Sequence, residues 1–348
     1  MADTFRVALT RDFRSDDGTI GWGDIGMAQL EAEPGIEWEF LPVDETPLSP
    51  GALAGFDGVM VLGNAVSAES LVGADRLKVV ARFGVGYDTI DLDACTAAGV
   101  PVTITPDGVR GPMALAAVTL LLSVAHNVRQ KDRIVRERRD WSERYRYNGL
   151  GLPGKTLGII GFGNIGREVQ RLLAPIGMEV VAYDPYLDPA VAGQAGARLV
   201  GIEELMAESD AVVVTAALTP ETHHIVNAER LALMKEHAII VNVARGPLID
   251  QNALAEALLK GRIGGAGLDV LEEEPARDDD PILDADTVLL SPHATGWTDL
   301  LAYGNGSGCV RSLLEVARGT RPSHVVVNPA AFDHERWTGV PDAPKTVS

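Results

Sequence analysis

Runs of apolar residues that alternate with helical or irregular stretches fill the first third of the chain. The apolar runs cover residues 6–10, 58–62, 78–83 and 100–104. Strands that alternate with helical stretches are typical of a parallel sheet, because neighbouring parallel strands need a long crossover connection. The pattern therefore predicts an α/β fold for this part of the chain.

A second series of apolar runs begins after a Gly- and Pro-rich turn, GLGLPGKT, at residues 149–156. Six segments have the apolar character of buried strands, namely LGIIGFGNIG, EVVAYDP, AVVVTAAL, AIIVNVA, GAGLDV and TVLLSPH. Six such strands, each followed by a helix or loop, predict a Rossmann sheet. Ahead of them, residues 111–127 predict a long apolar helix, and the charged run 129–146 predicts a solvated or subunit-facing helix.

The length of the chain favours two domains. Its 348 residues exceed the usual size of one compact core. We expect residues 1–105 to form the first domain, which a helical stretch at about 300–330 completes. Residues 106–299 then form the second domain, and residues 331–348 form a C-terminal tail.

Charge and composition exclude several classes of function. The net charge of −19 disfavours a nucleic-acid partner, because phosphate backbones are held by clustered Lys and Arg. The first residues are charged where a signal peptide is apolar, and we expect no stretch long enough to span a membrane, so the predicted location is cytoplasmic. Cys95 and Cys309 have no Cys or His at metal-ligand spacing beside them, so we expect no metal site and no disulfide framework.

A glycine-rich turn follows the first strand of the second series. Residues 157–160 run directly into GFGNIG at 161–166, after which the sequence becomes helical. Gly161 permits a tight turn, Gly163 lets the backbone approach a pyrophosphate, and Gly166 allows the helix to pack closely. The residues that we expect to bind a dinucleotide here are Gly161, Gly163, Asn164, Ile165 and Gly166.

Asp184 makes this motif specific. It ends EVVAYD, twenty-three residues after Gly161, where a carboxylate accepts hydrogen bonds from both ribose hydroxyls. No Arg or Lys follows in residues 185–187 to pair with a 2′-phosphate. The predicted cofactor is therefore NAD and not NADP.

Three polar side chains follow the later apolar segments, at the strand ends that face the ligand crevice of an open α/β sheet. Arg245 has the planar guanidinium that holds a carboxylate by two hydrogen bonds. His293 follows the sixth segment and has the ring that supplies or accepts a proton near neutral pH. Glu274, the last of three glutamates, would orient that ring and favour its protonated form. Together they indicate reduction of a ketone or oxidation of an alcohol.

These segments resemble the D-isomer-specific 2-hydroxyacid dehydrogenase family. The resemblance covers about residues 55–330 and depends on ARFGVGYDTIDLDACTAAGVPV, GKTLGIIGFGNIG, VVAYDPY, HHIVNAERLALMK, VNVARGPLIDQNAL, GAGLDVLEEEP and LLSPHATG. It implies two Rossmann-like domains with parallel sheets, a substrate-binding domain and an NAD-binding domain, with an active-site cleft between them. It also implies a homodimer and a small 2-hydroxy or 2-oxo acid as substrate.

The resemblance also implies roles for individual residues. Arg245, Glu274 and His293 match the substrate-orienting arginine, the acid and the catalytic histidine. Asp269 matches a carboxylate near the active site, which we assign to cofactor binding. Val85 and Gly86 match the loop whose backbone amides hold the substrate carboxylate, a role that a Gly-flanked turn is suited to.

Departures from the family pattern leave the substrate open. DGVRGPMALAAVTLLL, at residues 107–122, replaces a helix that carries a Glu-His pair in many relatives, and Trp297 stands where relatives carry a small residue. We expect the indole to occupy volume beside His293. Glu274 argues against formate oxidation, for which relatives carry Gln. Phosphite oxidation, and a non-catalytic NAD-sensing, corepressor-like protein, remain alternatives.

Overall fold

Two β-sheets, one in each of two structural units, organise the chain in the computed structural model. The structure describes residues 4–344. The first unit contains the described residues up to Val109 and those from Trp297 onwards, and the second unit is Arg110–Gly296. The strands are β1 Phe5–Leu9, β2 Ile36–Phe40, β3 Gly58–Val61, β4 Val79–Arg82, β5 Val102–Ile104, β6 Thr156–Ile160, β7 Glu179–Tyr183, β8 Arg198–Leu199, β9 Ala211–Val214, β10 Ile239–Asn242, β11 Gly265–Leu268, β12 Val288–Leu290 and β13 Val325–Val326.

Ten α-helices lie within the described residues. They are α1 Met27–Glu31, α2 Leu92–Ala97, α3 Pro106–Ala125, α4 Val128–Arg133, α5 Asn164–Leu173, α6 Pro189–Gln194, α7 Ile202–Glu208, α8 Ala228–Leu233, α9 Gln251–Leu259 and α10 Asp299–Ala317.

The sheet of the first unit has the strand order β13-β5-β4-β3-β1-β2. All neighbours are parallel except β13, which pairs antiparallel with β5. Helix α10 returns the chain to this unit and packs against β3, β4 and β5. Strand β2 does not appear among the predicted apolar runs, because it is an edge strand whose half-buried positions alternate with the exposed Glu37 and Glu39.

The sheet of the second unit has the order β12-β11-β10-β9-β6-β7-β8 and is parallel throughout. Its central strands are buried on both faces: Val212 and Ile240 lie in one apolar cluster, and Val213 and Val241 lie in the other. Double burial explains the uninterrupted apolar runs in the sequence. The parallel arrangement places the carboxyl ends of these strands on one edge of the sheet.

The charged run 129–146 does not form the single helix that the sequence predicts. Helix α4 passes into a π-helical turn at Ile134–Arg138, Arg139 has a left-handed φ of 54°, and a 3₁₀ segment covers Trp141–Tyr147. A non-glycine residue with positive φ ends a helix. The run is fixed to the second unit where Arg133 pairs with Asp286 at 2.7 Å.

Two further expectations change with the structure. Residues 331–344 are not a separate tail, because Trp337 is 4% exposed and its Nε1 donates to the carbonyl of Gly99. The remainder of the predicted tail, residues 345–348, lies outside the described residues. Helix α3, with 20 residues, is long and apolar enough by length and composition to cross a membrane, contrary to the expectation that no stretch is. Its buried residues Ala117 and Leu121 belong to the core of the second unit.

Candidate active site

The glycine-rich turn lies between β6 and the N-terminus of α5. Gly161 has φ 86°, and a Cβ there would lie 2.5 Å from the Cα of Ala216. A Cβ on Gly166 would lie 2.5 Å from the carbonyl oxygen of Gly161. At both positions only glycine allows the strand, turn and helix to approach this closely.

Gly163 has a different reason to be glycine. A Cβ there would meet no protein atom within 4 Å, so the turn leaves its backbone open to an approaching ligand. Gly163 is also the N-cap of α5, and no side chain caps it. The backbone amides of Asn164 and Ile165, the first two of α5, therefore have the arrangement that binds a pyrophosphate. The residues of this turn fit a dinucleotide.

The carboxylate of Asp184 lies against this turn. It follows β7, accepts a hydrogen bond from the amide of Phe162 at 3.0 Å, and accepts another from the amide of Tyr186 at 3.1 Å. A carboxylate has about four acceptor positions, so two amides leave capacity for hydroxyl donors. Asp184 is thus held beside the phosphate-binding turn, where the ribose of a dinucleotide would lie.

Arg245 lies three residues beyond the end of β10, in the turn that follows the strand. The buried Asn242 shapes this turn: its Nδ2 donates to the carbonyl of Arg245 at 2.9 Å, and its Oδ1 accepts from the amide of Ala244 at 3.0 Å. The guanidinium of Arg245 donates to the carbonyl of Ala244 at 2.7 Å. Sequence reasoning found Arg245 but missed Asn242, which appears in the sequence as one polar residue within an apolar run.

Glu274 and His293 form a pair. The Nδ1 of His293 lies 2.9 Å from Oε2 of Glu274, and the other carboxylate oxygen accepts from the amide of Leu271 at 2.9 Å. The side chains of His293 and Glu274 are 47% and 40% exposed, so solvent and solutes can reach them. Because Nδ1 is engaged by Glu274, Nε2 is the ring nitrogen that can exchange a proton with a bound molecule.

The environment keeps Glu274 ionised. Partial burial raises the pKa of Glu274, but the hydrogen bonds from His293 and the Leu271 amide and the charges of His293 and Arg245 outweigh burial and hold that pKa below its usual value. An ionised Glu274 is an acceptor for the Nδ1–H of His293. The pair can therefore hold a proton at His293 and release it to an acceptor.

Asp269 supports the turn that carries His293. It directly follows β11 and is 1% exposed. Its Oδ1 accepts from the amides of Ala294 and Thr295 and from the hydroxyl of Thr295, while its carbonyl accepts from the amide of His293 at 2.8 Å. His293 has a left-handed φ of 55° within this turn. The structure thus shows Asp269 orienting the His293 turn, and its assignment to cofactor binding stays a prediction.

Val85 and Gly86 belong to the loop that follows β4 in the first unit. Arg82 donates from Nε to the carbonyl of Gly86 at 2.7 Å, and Thr105 accepts from the amide of Gly84 at 2.9 Å. Within residues 4–344, neither the Val85 nor the Gly86 amide donates a hydrogen bond. The loop is therefore ordered by its neighbours while keeping two amides for an anion. Sequence reasoning did not identify Arg82 as the residue that holds it.

Trp297 lies in the first unit and is 57% exposed. Its ring contacts Trp22 with centroids 4.3 Å apart and the ring planes inclined by 51°, and Trp22 in turn contacts Phe83 edge-on at 5.2 Å. The indole of Trp297 therefore packs on an aromatic residue close to the N-terminus. No local sequence pattern predicts a contact between residues so far apart in the chain.

An open surface cavity of about 560 Å³ lies in the second unit beyond the carboxyl ends of β9 and β10. It is lined by Leu218, Thr219, Pro220, His223 and Pro247. Arg245, Glu274 and His293 do not line it. Within the described residues, no cluster of His, Cys, Asp and Glu is arranged to hold a metal ion.

Comparisons with known proteins identify the family of the chain. The family model described as D-isomer specific 2-hydroxyacid dehydrogenase, NAD binding domain, matches residues 118–295. The chain is 41% identical over 268 residues to a D-3-phosphoglycerate dehydrogenase of Methanocaldococcus jannaschii, a match that covers 77% of this chain and 51% of that protein. It is 39% identical over 274 residues to a glyoxylate reductase of Thermococcus onnurineus, covering 77% of this chain and 81% of the reductase.

A solved structure, that of a protein from Thermus thermophilus, has a TM-score of 0.81 and 33% identity, and the match covers 93% of this chain and 100% of that one. The chain thus spans about half the length of the phosphoglycerate dehydrogenase and most of the length of the glyoxylate reductase. The α/β fold and NAD as the cofactor follow from these matches and from the turn at residues 161–166. The chain belongs to the D-isomer-specific 2-hydroxyacid dehydrogenase family.

Proposed function

We propose that the chain reduces a small 2-oxo acid to the 2-hydroxy acid with NADH, and catalyses the reverse oxidation with NAD. The observation that supports this most is the pair of His293 and Glu274, joined at 2.9 Å, with the charge of Arg245 acting on the same carboxylate. This is an acid–base pair beside a cation, which suits a substrate with a carboxylate next to a carbonyl.

Reduction adds a hydride to C2 and a proton to the carbonyl oxygen. When bound, NADH supplies the hydride. His293 donates the proton from Nε2, and Glu274 orients the ring through its hydrogen bond to Nδ1. In the oxidation direction the neutral ring accepts the hydroxyl proton. Asp269 keeps the ring in position by fixing the backbone of the turn.

Arg245 and the loop at residues 85–86 are each suited to bind a carboxylate. Arg245 orients the substrate through its guanidinium, whose turn is fixed by Asn242. The amides of Val85 and Gly86 hold the substrate carboxylate, as the family resemblance implies and as the ordered loop supports. The amides at the N-terminus of α5 hold the pyrophosphate of the cofactor, and Asp184 accepts from its ribose hydroxyls.

We further propose a cytoplasmic homodimer with no nucleic-acid or membrane partner. The net charge of −19 supports the absence of nucleic acid. The exposed aromatic residues Trp141 and Tyr145 of the second unit support an association between copies of the chain. Fractionation of cells that express the tagged chain tests the location, and recovery of the chain with membranes would contradict it.

A substrate panel tests the proposed reaction. The loss of NADH absorbance is followed with glyoxylate, hydroxypyruvate, pyruvate, phenylpyruvate and branched 2-oxo acids, and the gain of NADH with phosphite and formate. We expect turnover of at least one small 2-oxo acid, with glyoxylate first because some relatives are glyoxylate reductases. Turnover of phosphite alone would replace the proposal with phosphite oxidation. NADH binding without turnover of any compound would favour a sensor.

A further inference from the structure

A second histidine–glutamate pair lies on the same loop as the first. His224 Nε2 bonds to Oε1 of Glu272, and Glu272 is two residues before Glu274. The side chains of His224 and Glu272 are 35% and 26% exposed, so this pair is less accessible than His293 and Glu274. The loop that follows β11 thus carries two glutamates, each paired with a histidine from a different part of the second unit.

The backbone of His224 is fixed to the turn that carries Arg245. Its amide donates to the carbonyl of Pro247 at 2.8 Å, and a short parallel bridge then joins Val226 to Ile249. His224 has a left-handed φ of 50°, which is uncommon for a residue other than glycine. This conformation directs the ring across the turn to Glu272.

The turn and the loop also touch directly. A Cβ on Gly246 would lie 1.9 Å from the carbonyl oxygen of Leu271, so the two backbones are in close contact. The amide of Glu272 donates to Oε1 of Gln251 at 2.9 Å. His224 therefore adds a side-chain link between two segments, of which one carries Arg245 and the other carries Glu274.

We propose that His224 is a positioning residue of the active site: through its hydrogen bond with Glu272 it holds the loop at residues 271–274 against the Arg245 turn, and so aligns Glu274 with His293. The inference rests on the proposed function, because it concerns the acid–base pair of that reaction. His224 itself does not touch the substrate in this role, since its Nε2 is engaged by Glu272.

Removing the link should slow proton transfer more than it weakens cofactor binding. For His224→Ala we expect kcat for reduction of the best 2-oxo acid to fall about tenfold or more, since a displacement near 1 Å at a reacting group costs up to ~10²-fold. The KM for NADH should change by less than about threefold, because Asp184 and the turn at 161–166 are untouched. The pH at which the reduction rate falls by half should move to lower pH, because a misaligned Glu274 supports protonated His293 less.

Three companion variants separate positioning from general damage. His224→Gln keeps a donor for Glu272 and should restore kcat to within about threefold of the wild type. The double variant His224→Ala/Glu272→Ala should be no slower than His224→Ala, because both changes break one link. His237→Ala is the matched control: His237 pairs with Asp210 at 2.6 Å ahead of β9 and β10, at the opposite edge of the same sheet. It should leave kcat and the pH profile unchanged.

A measurement without turnover makes the test independent of the proposed reaction. Labelled histidine ring carbons are titrated by NMR in the wild type and in His224→Ala, with the His293 signal assigned by its loss in His293→Gln. We expect a lower titration midpoint of His293 in His224→Ala and no change in His237→Ala. An unchanged midpoint and unchanged kcat in a folded His224→Ala protein would overturn the inference, as would a His224→Gln protein as slow as His224→Ala. Absence of turnover in the wild type would overturn the proposed function alone.

Discussion

His293 is the residue on which the proposed chemistry depends most. Its ring is oriented by Glu274 through Nδ1, and its backbone amide donates to Asp269, so the substitution His293→Ala removes the proton donor and keeps the backbone contact. We expect kcat to fall by about 10²–10⁴-fold, the usual contribution of a general acid–base residue, with NADH affinity retained. Steady-state kinetics and NADH fluorescence titration measure the two quantities. Near-normal turnover across the pH range would contradict the role.

Glu274→Gln tests the charge of the partner. The pKa of Glu274 is held below its usual value, so the carboxylate is charged at neutral pH, and its stabilising effect is lost only as the pH falls through that lowered pKa. The amide variant keeps an acceptor for His293 but lacks the charge. The rate of ketone reduction should fall as the pH rises, because the reaction needs a protonated His293. In Glu274→Gln we expect this fall to occur at a lower pH than in the wild type. A pH–rate profile of kcat/KM with no shift would contradict the pairing.

Asp184 should determine cofactor preference. Its carboxylate is fixed by the amides of Phe162 and Tyr186 beside the phosphate-binding turn, so a 2′-phosphate would lie against a negative charge. The wild type should strongly prefer NADH. Asp184→Ser should lower kcat/KM for NADH and so reduce the difference in kcat/KM between NADH and NADPH. A further Pro185→Arg change should raise kcat/KM for NADPH, because the guanidinium would pair with the 2′-phosphate. The measurement is kcat/KM for both cofactors. Equal use by the wild type would show that Asp184 does not face the ribose.

The sequence pattern predicts the functional residues that follow buried strands, and it does not predict the residues that fix the turns and loops around them. Asp184, Arg245 and His293 were predictable because each follows an apolar run whose direction in a parallel sheet is known. Asn242, Arg82 and His224 act through contacts that depend on folding. His224 and Glu272 are 48 residues apart, and nothing in the spacing of HHIVN and LEEEP predicts that they meet. Such contacts depend on how the loops pack, which local patterns do not encode.

The turn after β10 is an element whose shape depends on one glycine. Gly246 lies between Arg245 and Pro247, and a Cβ there would lie 1.9 Å from the carbonyl oxygen of Leu271. Gly246→Ala therefore requires the turn or the loop carrying Glu274 to move. We expect kcat/KM to fall at least about tenfold and the melting temperature to fall by several degrees, as for other over-packed sites that cost ~1–3 kcal/mol.

Gly193→Ala is the matched control for this element. Gly193 lies inside α6, is exposed, and a Cβ there would meet no atom within 4 Å. Alanine in an exposed helix interior stabilises by roughly 0.5–1 kcal/mol relative to glycine. This variant should keep full activity with an equal or higher melting temperature. If Gly246→Ala behaved in the same way, the close packing of the turn on the loop would not matter for the site.

At the scale of the element, the sequence predicts strands well where they are buried on both faces. The six apolar segments of the second unit correspond to β6, β7, β9, β10, β11 and β12. The missed strands are at edges: β2 alternates in burial, and β8 has two residues. The charged run at 129–146 breaks at Arg139, where a left-handed φ ends the helical turns. Periodicity alone does not locate such a break, because the residues on both sides favour a helix.

Charge at the scale of the whole molecule explains why the substrate site is local. A net charge of −19 repels an anionic substrate at long range, and screening by salt limits that repulsion to about 8–10 Å at physiological ionic strength. The proposed capture of an anionic substrate therefore depends on short-range hydrogen bonds and not on the overall charge. The same net charge keeps separate molecules apart, so any association between copies must come from specific apolar surface.

Several large apolar side chains of the second unit are exposed, which supports an association between copies of the chain. Trp141 and Tyr145 are 62% and 71% exposed on the segment Trp141–Tyr147, and Leu115, Val128 and Val135 are each more than half exposed. Large exposed apolar residues mark a contact site where they are contiguous. We expect a dimer of twice 36.9 kDa by light scattering and sedimentation at micromolar concentration.

The double variant Trp141→Ser/Tyr145→Ser should shift this dimer towards monomer while circular dichroism and NADH binding remain those of a folded protein. Val72→Ser removes an apolar side chain that is 60% exposed in the first unit and should leave the dimer intact. A wild type that is monomeric at micromolar concentration would contradict the predicted homodimer. An interface that buries these two aromatic side chains, of roughly 150–250 Å² each, should depend on them for most of its binding energy. A double variant that stays dimeric would therefore place the interface on another surface.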